Sequence, residues 1–128
     1  MNGSPRPFRF GPSARLTHRR EFARVREGRA RVDLGPLSVF AIPNPLDRSR
    51  LGMSIGRRLG GAVRRNRLKR HLRESFRLER SAFPAAYDVL VTARPHAELP
   101  LDEYRAILVE AIRRLHETWT RRNARGSA

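Results

Sequence analysis

Apolar residues change their spacing several times along the chain, and each change of period marks an element. Phe22 and Val25 give a short apolar edge to a helix expected from His18 to about Glu27, with Thr17 as its N-cap and Gly28 as its stop. Leu37–Ile42 (LSVFAI) reads as a strand, closed by Pro43 and a turn rich in Pro, Asn and Asp. Arg50–Ile55 (RLGMSI) reads as the next strand, with Leu51, Met53 and Ile55 on one face and Gly52 and Ser54 on the other. From Ala62 to about Glu79 the period is helical, and Leu68, Leu72 and Phe76 share a stripe at about 100° per residue. Asp88–Ala93 (DVLVTA) is a third strand, and Leu101–Trp119 a last amphipathic helix with Tyr104, Leu108, Ala111 and Leu115 on one stripe.

These elements predict a single compact α+β domain at residues 16–119, a small mixed sheet packed by helices, with a strand–helix–strand crossover around the helix at Ala62–Glu79. Residues 1–15, rich in Pro, Gly and Arg, are expected as a flexible basic arm, and residues 120–128 as a frayed basic tail. Neither an internal repeat nor a domain linker is visible. The bare face of the second strand, Gly52 and Ser54, has two readings that the pattern leaves open: room for a ligand backbone, or close packing of two protein elements.

Charge sharpens the picture. The 128 residues carry 28 Lys and Arg against 12 Asp and Glu, a net charge of +16. Such a chain attracts polyanions strongly. The charge is concentrated in the central helix, where Arg64, Arg65, Arg67, Lys69, Arg70, Arg73 and Arg77 stand against one acid, Glu74. Asn66, Arg70, Arg73 and Arg77 fall opposite the apolar stripe, with Lys69 beside them. A helix anchored in a core on one side and lined with guanidinium groups on the other suits a rigid polyphosphate. Membrane-surface binding is disfavoured, because no helix sets a bulky aromatic face opposite its charges. No apolar run reaches the roughly 20 residues of a bilayer span. The chain has no cysteine, which excludes disulfides and thiolate metal sites, and no signal peptide is evident at the N-terminus, so the expected compartment is the cytoplasm.

Catalytic chemistry by the chain's own side chains finds little support. His18, His71, His96 and His116 lie far apart with no zinc spacing, and His71 reads as a packing or hydrogen-bonding residue. Glu98, Asp102 and Glu103 read as acids favouring the dipole of the last helix, and Glu74 as a salt-bridge partner within its own helix. Phe22 and Phe40 could form a stacking platform beside Arg57 and Arg58, although the residues alone favour a core role for both. Phe76, Tyr104 and Trp119 read as core.

The block from Arg50, RLGMSIGRRLGGAVRRNRLKRHLRESFR, resembles the protein subunit of bacterial ribonuclease P. Ala62-Val63, Arg65-Asn66-Arg67, Lys69-Arg70 and Arg73-Glu74 follow the family's frame step by step. Gly52 and Ser54 upstream and Ala93-Arg94-Pro95 downstream extend the resemblance over about Leu16 to Leu115. The resemblance implies a left-handed crossover, against the usual right-handed rule. It also implies a subunit that assists a catalytic RNA in removing the 5′ leader of precursor tRNA, with Mg2+ held by the RNA and its substrate. Its partners would be ribonuclease P RNA and precursor tRNA, with no membrane or protein partner. Carried over by residue, Arg65, Asn66, Arg67, Lys69, Arg70 and Arg73 would face the catalytic RNA. Phe22, Phe40, Ser54, Arg57 and Arg58 would line the leader cleft between the first helix and the sheet, which reverses the core reading of the two phenylalanines. The chain departs from the family at Arg26, where a second aromatic often stands. The alternative is a structural or ribosomal-type RNA-binding protein with no role in cleavage. A leucine-zipper DNA reader fails because no heptad array follows Arg77.

Overall fold

Each of these apolar runs becomes one element in the computed structural model, which describes residues 14–127. The order is α1 (Arg19–Glu27), β1 (Arg31–Leu34), β2 (Leu37–Pro43), β3 (Arg50–Ser54), α2 (Ala62–Glu79), β4 (Tyr87–Ala93) and α3 (Leu101–Ser127). The strands form one mixed sheet in the order β1-β2-β4-β3. β1–β2 and β2–β4 are antiparallel, whereas β3 and β4 are parallel. Parallel neighbours need a crossover, and α2 supplies it.

Alternation along the strands divides the core in two. On one face Leu37, Val39, Ala41, Leu51, Tyr87, Val89 and Val91 meet Leu68, Leu72 and Phe76 of α2 and Tyr104, Leu108, Ala111, Ile112 and Leu115 of α3. On the other face Leu90 meets Leu16 and Val25, with Phe22, Phe40 and Ile42 packed around them. α1 therefore lies alone on its side, over β2 and β4. Away from α1 this second face leaves Asp33 and Ser54 exposed and Phe40 and Thr92 half-buried.

Several expectations are corrected. β1 was not foreseen: its four residues, Arg-Val-Asp-Leu, carry two charges and form an edge strand exposed on alternate positions. α1 starts one residue later than expected, at Arg19, because the Glu21 carboxylate accepts the backbone N–H groups of Thr17 (3.1 Å) and His18 (3.2 Å). Of the expected N-terminal arm, residues 1–13 lie outside the described residues, but Ala14 is buried and Arg15 bridges to Leu51. The expected tail after Trp119 is helix to Ser127. Its last turns are held: Trp119 donates Nε1–H to the Ala41 carbonyl at 2.8 Å, and Arg122 donates to the carbonyls of Gly28 (2.5 Å) and Arg29 (2.8 Å) while lying over the Trp119 ring. Those two carbonyls end α1, so the far end of α3 caps the first helix. Gly28 itself is right-handed, and positive φ falls on Arg29 (55°). What requires glycine at position 28 is proximity, since a Cβ there would stand 2.4 Å from Ile42 Cγ2.

Candidate nucleic-acid interface

Helical geometry sets the polar side chains of residues 66–73 in three groups around the buried stripe of Leu68, Leu72, Ser75 and Phe76. Asn66 and Arg70 stand exposed on the crest. Lys69 and Arg73 lie on the flank towards β3 and α1, half-buried. Arg67 and His71 lie on the opposite flank, towards the loop before α3, where both meet Glu98 at 3.2 and 3.3 Å. Arg65 folds back onto the Gly60 carbonyl at 2.9 Å. The six expected RNA-facing residues thus do not form one row. Glu98 belongs to this helix by contact and not to the dipole of α3, and Glu74 pairs with Arg77 at 2.6 Å as expected.

The middle of α2 and the first four turns of α3 differ in how their charges are paired. On α3, Arg105 pairs with Glu79 and Asp102, Arg113 with Glu110 and Glu117, and Arg114 with Glu110. On α2, Lys69, Arg70 and Arg73 make no ion pair with any described residue. Burial, together with the positive charges of Arg15 and Arg70, pushes Arg73 down from the ordinary arginine value. A cation held under that repulsion gains when an anion arrives.

Lys69 and Arg73 form one wall of an open groove of about 170 Å³. Arg15, Leu16, Thr17 and Phe22 form the other wall, and Leu51, Gly52 and Met53 the floor. Phe22 sits half-buried on Gly52, where a Cβ would stand 2.6 Å from its Cε1. The glycine is therefore explained by close packing of the ring, and that ring keeps an edge in the groove. An aromatic edge facing a lysine and an arginine matches the alternation of base and phosphate in a single strand.

Cross-strand register lays out the rest of this face in rows. Gly52, Leu90, Phe40 and Arg31 are successive partners across the sheet, and Ser54, Thr92, Ser38 and Asp33 form the next row. Phe40 is half-buried, with the guanidinium groups of Arg31 and Arg26 at 5.4 and 6.0 Å from its ring centroid. Arg26, which replaces an aromatic expected from the family, thus reaches an aromatic face. The second row carries three small hydroxyl side chains and ends in the Asp33 carboxylate, which accepts from Arg31 at 2.8 Å, and Arg31 and Arg94 converge on Ser38 Oγ at 3.5 and 3.4 Å. Thr92, Ser38 and Arg31 were not singled out in the sequence, and Arg94 stood there only as part of the family's Ala93-Arg94-Pro95. The alternation DVLVTA placed Thr92 on this face, but nothing local tied Arg31 to it before β1 was known. Ser54 ends β3, exposed on the same face. Arg57 and Arg58 lie in a short 3₁₀ turn after β3, and Arg58 lines a separate cavity of about 550 Å³ with Gly56, Leu59, Ala93, Arg94 and Pro95. The five expected leader residues are therefore spread over the groove, the sheet face and the turn beyond it.

α1 is fixed over this surface by a polar cluster. Asp88 on β4 is fully buried and accepts from Arg50 (2.8 and 2.7 Å), Asn44 (2.9 Å) and Arg24 of α1 (3.1 Å). Arg50 also reaches Glu21 of α1 at 3.2 Å. Glu21 and Arg24 bracket Phe22, so the same contacts that neutralise Asp88 set the ring against the groove.

Among the described residues, no group of three or more His, Asp or Glu side chains is placed to hold a metal ion. No described helix is long and apolar enough to cross a membrane.

Fold and surface together define a class: a small basic α+β domain in which Lys69 and Arg73, without an ion pair among the described residues, border a groove that holds an aromatic ring. The family model for ribonuclease P matches residues 10–116, and the chain belongs to the ribonuclease P protein family. It is 40% identical over 99 residues to the ribonuclease P protein component of Syntrophobacter fumaroxidans, covering 77% of this chain and 81% of the relative. It is likewise 40% identical over 106 residues to that of Desulfovibrio desulfuricans, covering 79% and 82%. The same fold occurs in the RNase P protein of Thermotoga maritima, solved with 1-(4-fluorophenyl)-2-thiourea, at a TM-score of 0.70 and 31% identity, covering 77% of this chain and 97% of that one. The Staphylococcus aureus RNase P protein matches at a TM-score of 0.68 and 28% identity, covering 78% and 93%.

Proposed function

We propose that this chain docks on a catalytic RNA through α2 and holds the single-stranded 5′ leader of precursor tRNA in the groove beside Phe22. As a ribonucleoprotein the pair would release the leader from precursor tRNA in the cytoplasm. The reaction is hydrolysis of a phosphodiester by the RNA, with magnesium belonging to RNA and substrate. The protein contributes charge neutralisation and position.

One observation carries this reading: Lys69, Arg70 and Arg73 lack acid partners among the described residues, and two of them line the same groove as Phe22. Arg105, Arg113 and Arg114 of α3, by contrast, are neutralised by acids within the chain. Unpaired guanidinium and ammonium groups on a rigid helix are free to replace counterions on phosphates. Reconstitution with a bacterial ribonuclease P RNA at low magnesium tests the reading. It should stimulate 5′ cleavage of precursor tRNA, and the protein alone should cleave nothing. RNA binding with no stimulation would support a purely structural RNA-binding role instead.

A further inference from the structure

Arg67 and His71 stand one turn apart on the flank of α2 that faces the loop before α3. Between them lies the carboxylate of Glu98, with Oε1 3.2 Å from Arg67 Nη1 and Oε2 3.3 Å from His71 Nε2. A hydrogen bond from His71, and the bond and charge of Arg67, hold the Glu98 carboxyl below the ordinary glutamate value. The loop that presents Glu98 is itself tied down. Arg64 donates to the His96 carbonyl at 2.9 Å, the His96 ring bonds the Tyr104 hydroxyl at 2.8 Å, and Leu99 N–H donates to that hydroxyl at 3.2 Å. Tyr104 is fully buried and stacks on the His71 ring at 5.6 Å between centroids. Acid, loop, tyrosine and histidine are thus one built unit, with the carboxylate placed by the core.

An arginine and a histidine one helical turn apart, bridged by a two-oxygen anion, present the donor arrangement that a phosphate would take. We propose that Arg67 and His71 form a binding site for a backbone phosphate of the catalytic RNA, and that Glu98 occupies this site in the free protein and is displaced when the RNA docks. The inference rests on the RNA-docking reading of α2. Glu98 then acts as an internal competitor. The affinity of the open site is reduced by the fraction of molecules in which the carboxylate closes it. Such a competitor also discriminates, because a polyphosphate that brings other contacts along α2 displaces it more readily than an isolated anion does.

Removal of the competitor should strengthen binding, an outcome that damage to the fold does not produce. The 128-residue chain and its Glu98→Gln variant are titrated against a bacterial ribonuclease P RNA at fixed salt. Glu103→Gln, an exposed acid of the α3 first turn, controls for loss of one negative charge. Glu98→Gln should bind about two- to fivefold more tightly, in keeping with one exposed ion pair, and Glu103→Gln should gain less. In an Arg67→Ala background the gain should vanish. Unchanged or weaker binding by Glu98→Gln, or an equal gain in Glu103→Gln, would overturn the closure. If Arg67→Ala weakens RNA binding while Glu98→Gln gives no gain, only the closure fails. If Arg67→Ala leaves RNA binding unchanged, Arg67 has no docking role and the broader reading of this flank fails with it.

Discussion

Arg50 grips Asp88 with both arms of its guanidinium, Nε at 2.8 Å from one carboxylate oxygen and Nη2 at 2.7 Å from the other. Asp88 is fully buried, so its charge exists only because Arg50, Asn44 and Arg24 satisfy it. Burial alone would raise the Asp88 pKa; the bonds from Arg50 and Asn44 and the charges of Arg50 and Arg24 prevail and hold it below the ordinary aspartate value.

Two consequences follow for stability. Asp88→Ala leaves the largely buried Arg50 with Glu21 as its remaining acid partner and should cost about 3 kcal/mol in urea unfolding, the low end for breaking a buried pair. A carboxyl with a lowered folded-state pKa stabilises above its unfolded value, and that stabilisation disappears as pH falls through the folded one. Stability of the native chain should therefore drop steeply in the acid limb, and in Asp88→Asn that limb should be shallower. Parallel acid limbs in the two proteins would show that Asp88 is not ionised in the fold.

Gly52 sets the seat of Phe22. A Cβ at position 52 would stand 2.6 Å from Phe22 Cε1 and 2.9 Å from Leu16 Cβ, so the ring must shift. Gly52→Ala should weaken holoenzyme binding to precursor tRNA with a leader while leaving affinity for the catalytic RNA within about twofold, since the crest of α2 is untouched. Equal loss for both would point to general unfolding of the sheet edge.

Arg70 of α2 and Arg113 of α3 should differ in salt dependence. Arg70→Ala, which removes a charge that has no acid partner among the described residues, should lower the slope of log affinity against log salt by about 0.7–0.9. Arg113 is already neutralised by Glu110 and Glu117, and Arg113→Ala should leave the slope unchanged. Identical slopes for the two variants would remove the distinction between the helices.

The last turns of α3 hold the end of α1. Deleting residues after Thr120 removes the two bonds from Arg122 to Gly28 and Arg29. That loss should cost roughly 2 kcal/mol and speed amide exchange in α1 more than in α2. Uniform acceleration would mean that the cap acts on the whole fold.

The central helix was legible in the sequence because one stripe, Leu68, Leu72 and Phe76, had to be apolar and the rest did not. β2, β3 and β4 were legible for the same reason, their inward positions being apolar in period two. β1 was hidden because an edge strand of four residues buries little and Arg31 and Asp33 mask its alternation. The extent of α3 was hidden because Arg122 is held by backbone carbonyls some 90 positions away in the chain, a contact no local signal announces. The site was legible by residue but not by arrangement. Phe22, Lys69 and Arg73 share a groove only after the sheet brings β3 between α1 and α2, and Glu98 read as a dipole acid until the loop placed it on Arg67.

The decisive measurement compares the reconstituted holoenzyme carrying native protein or Phe22→Ala on two ligands, precursor tRNA with a long leader and mature tRNA without one. Loss of one base stack should weaken the precursor about five- to a hundredfold and leave mature tRNA nearly unaltered. Equal weakening of both ligands would make Phe22 a core residue and contradict a leader-binding groove.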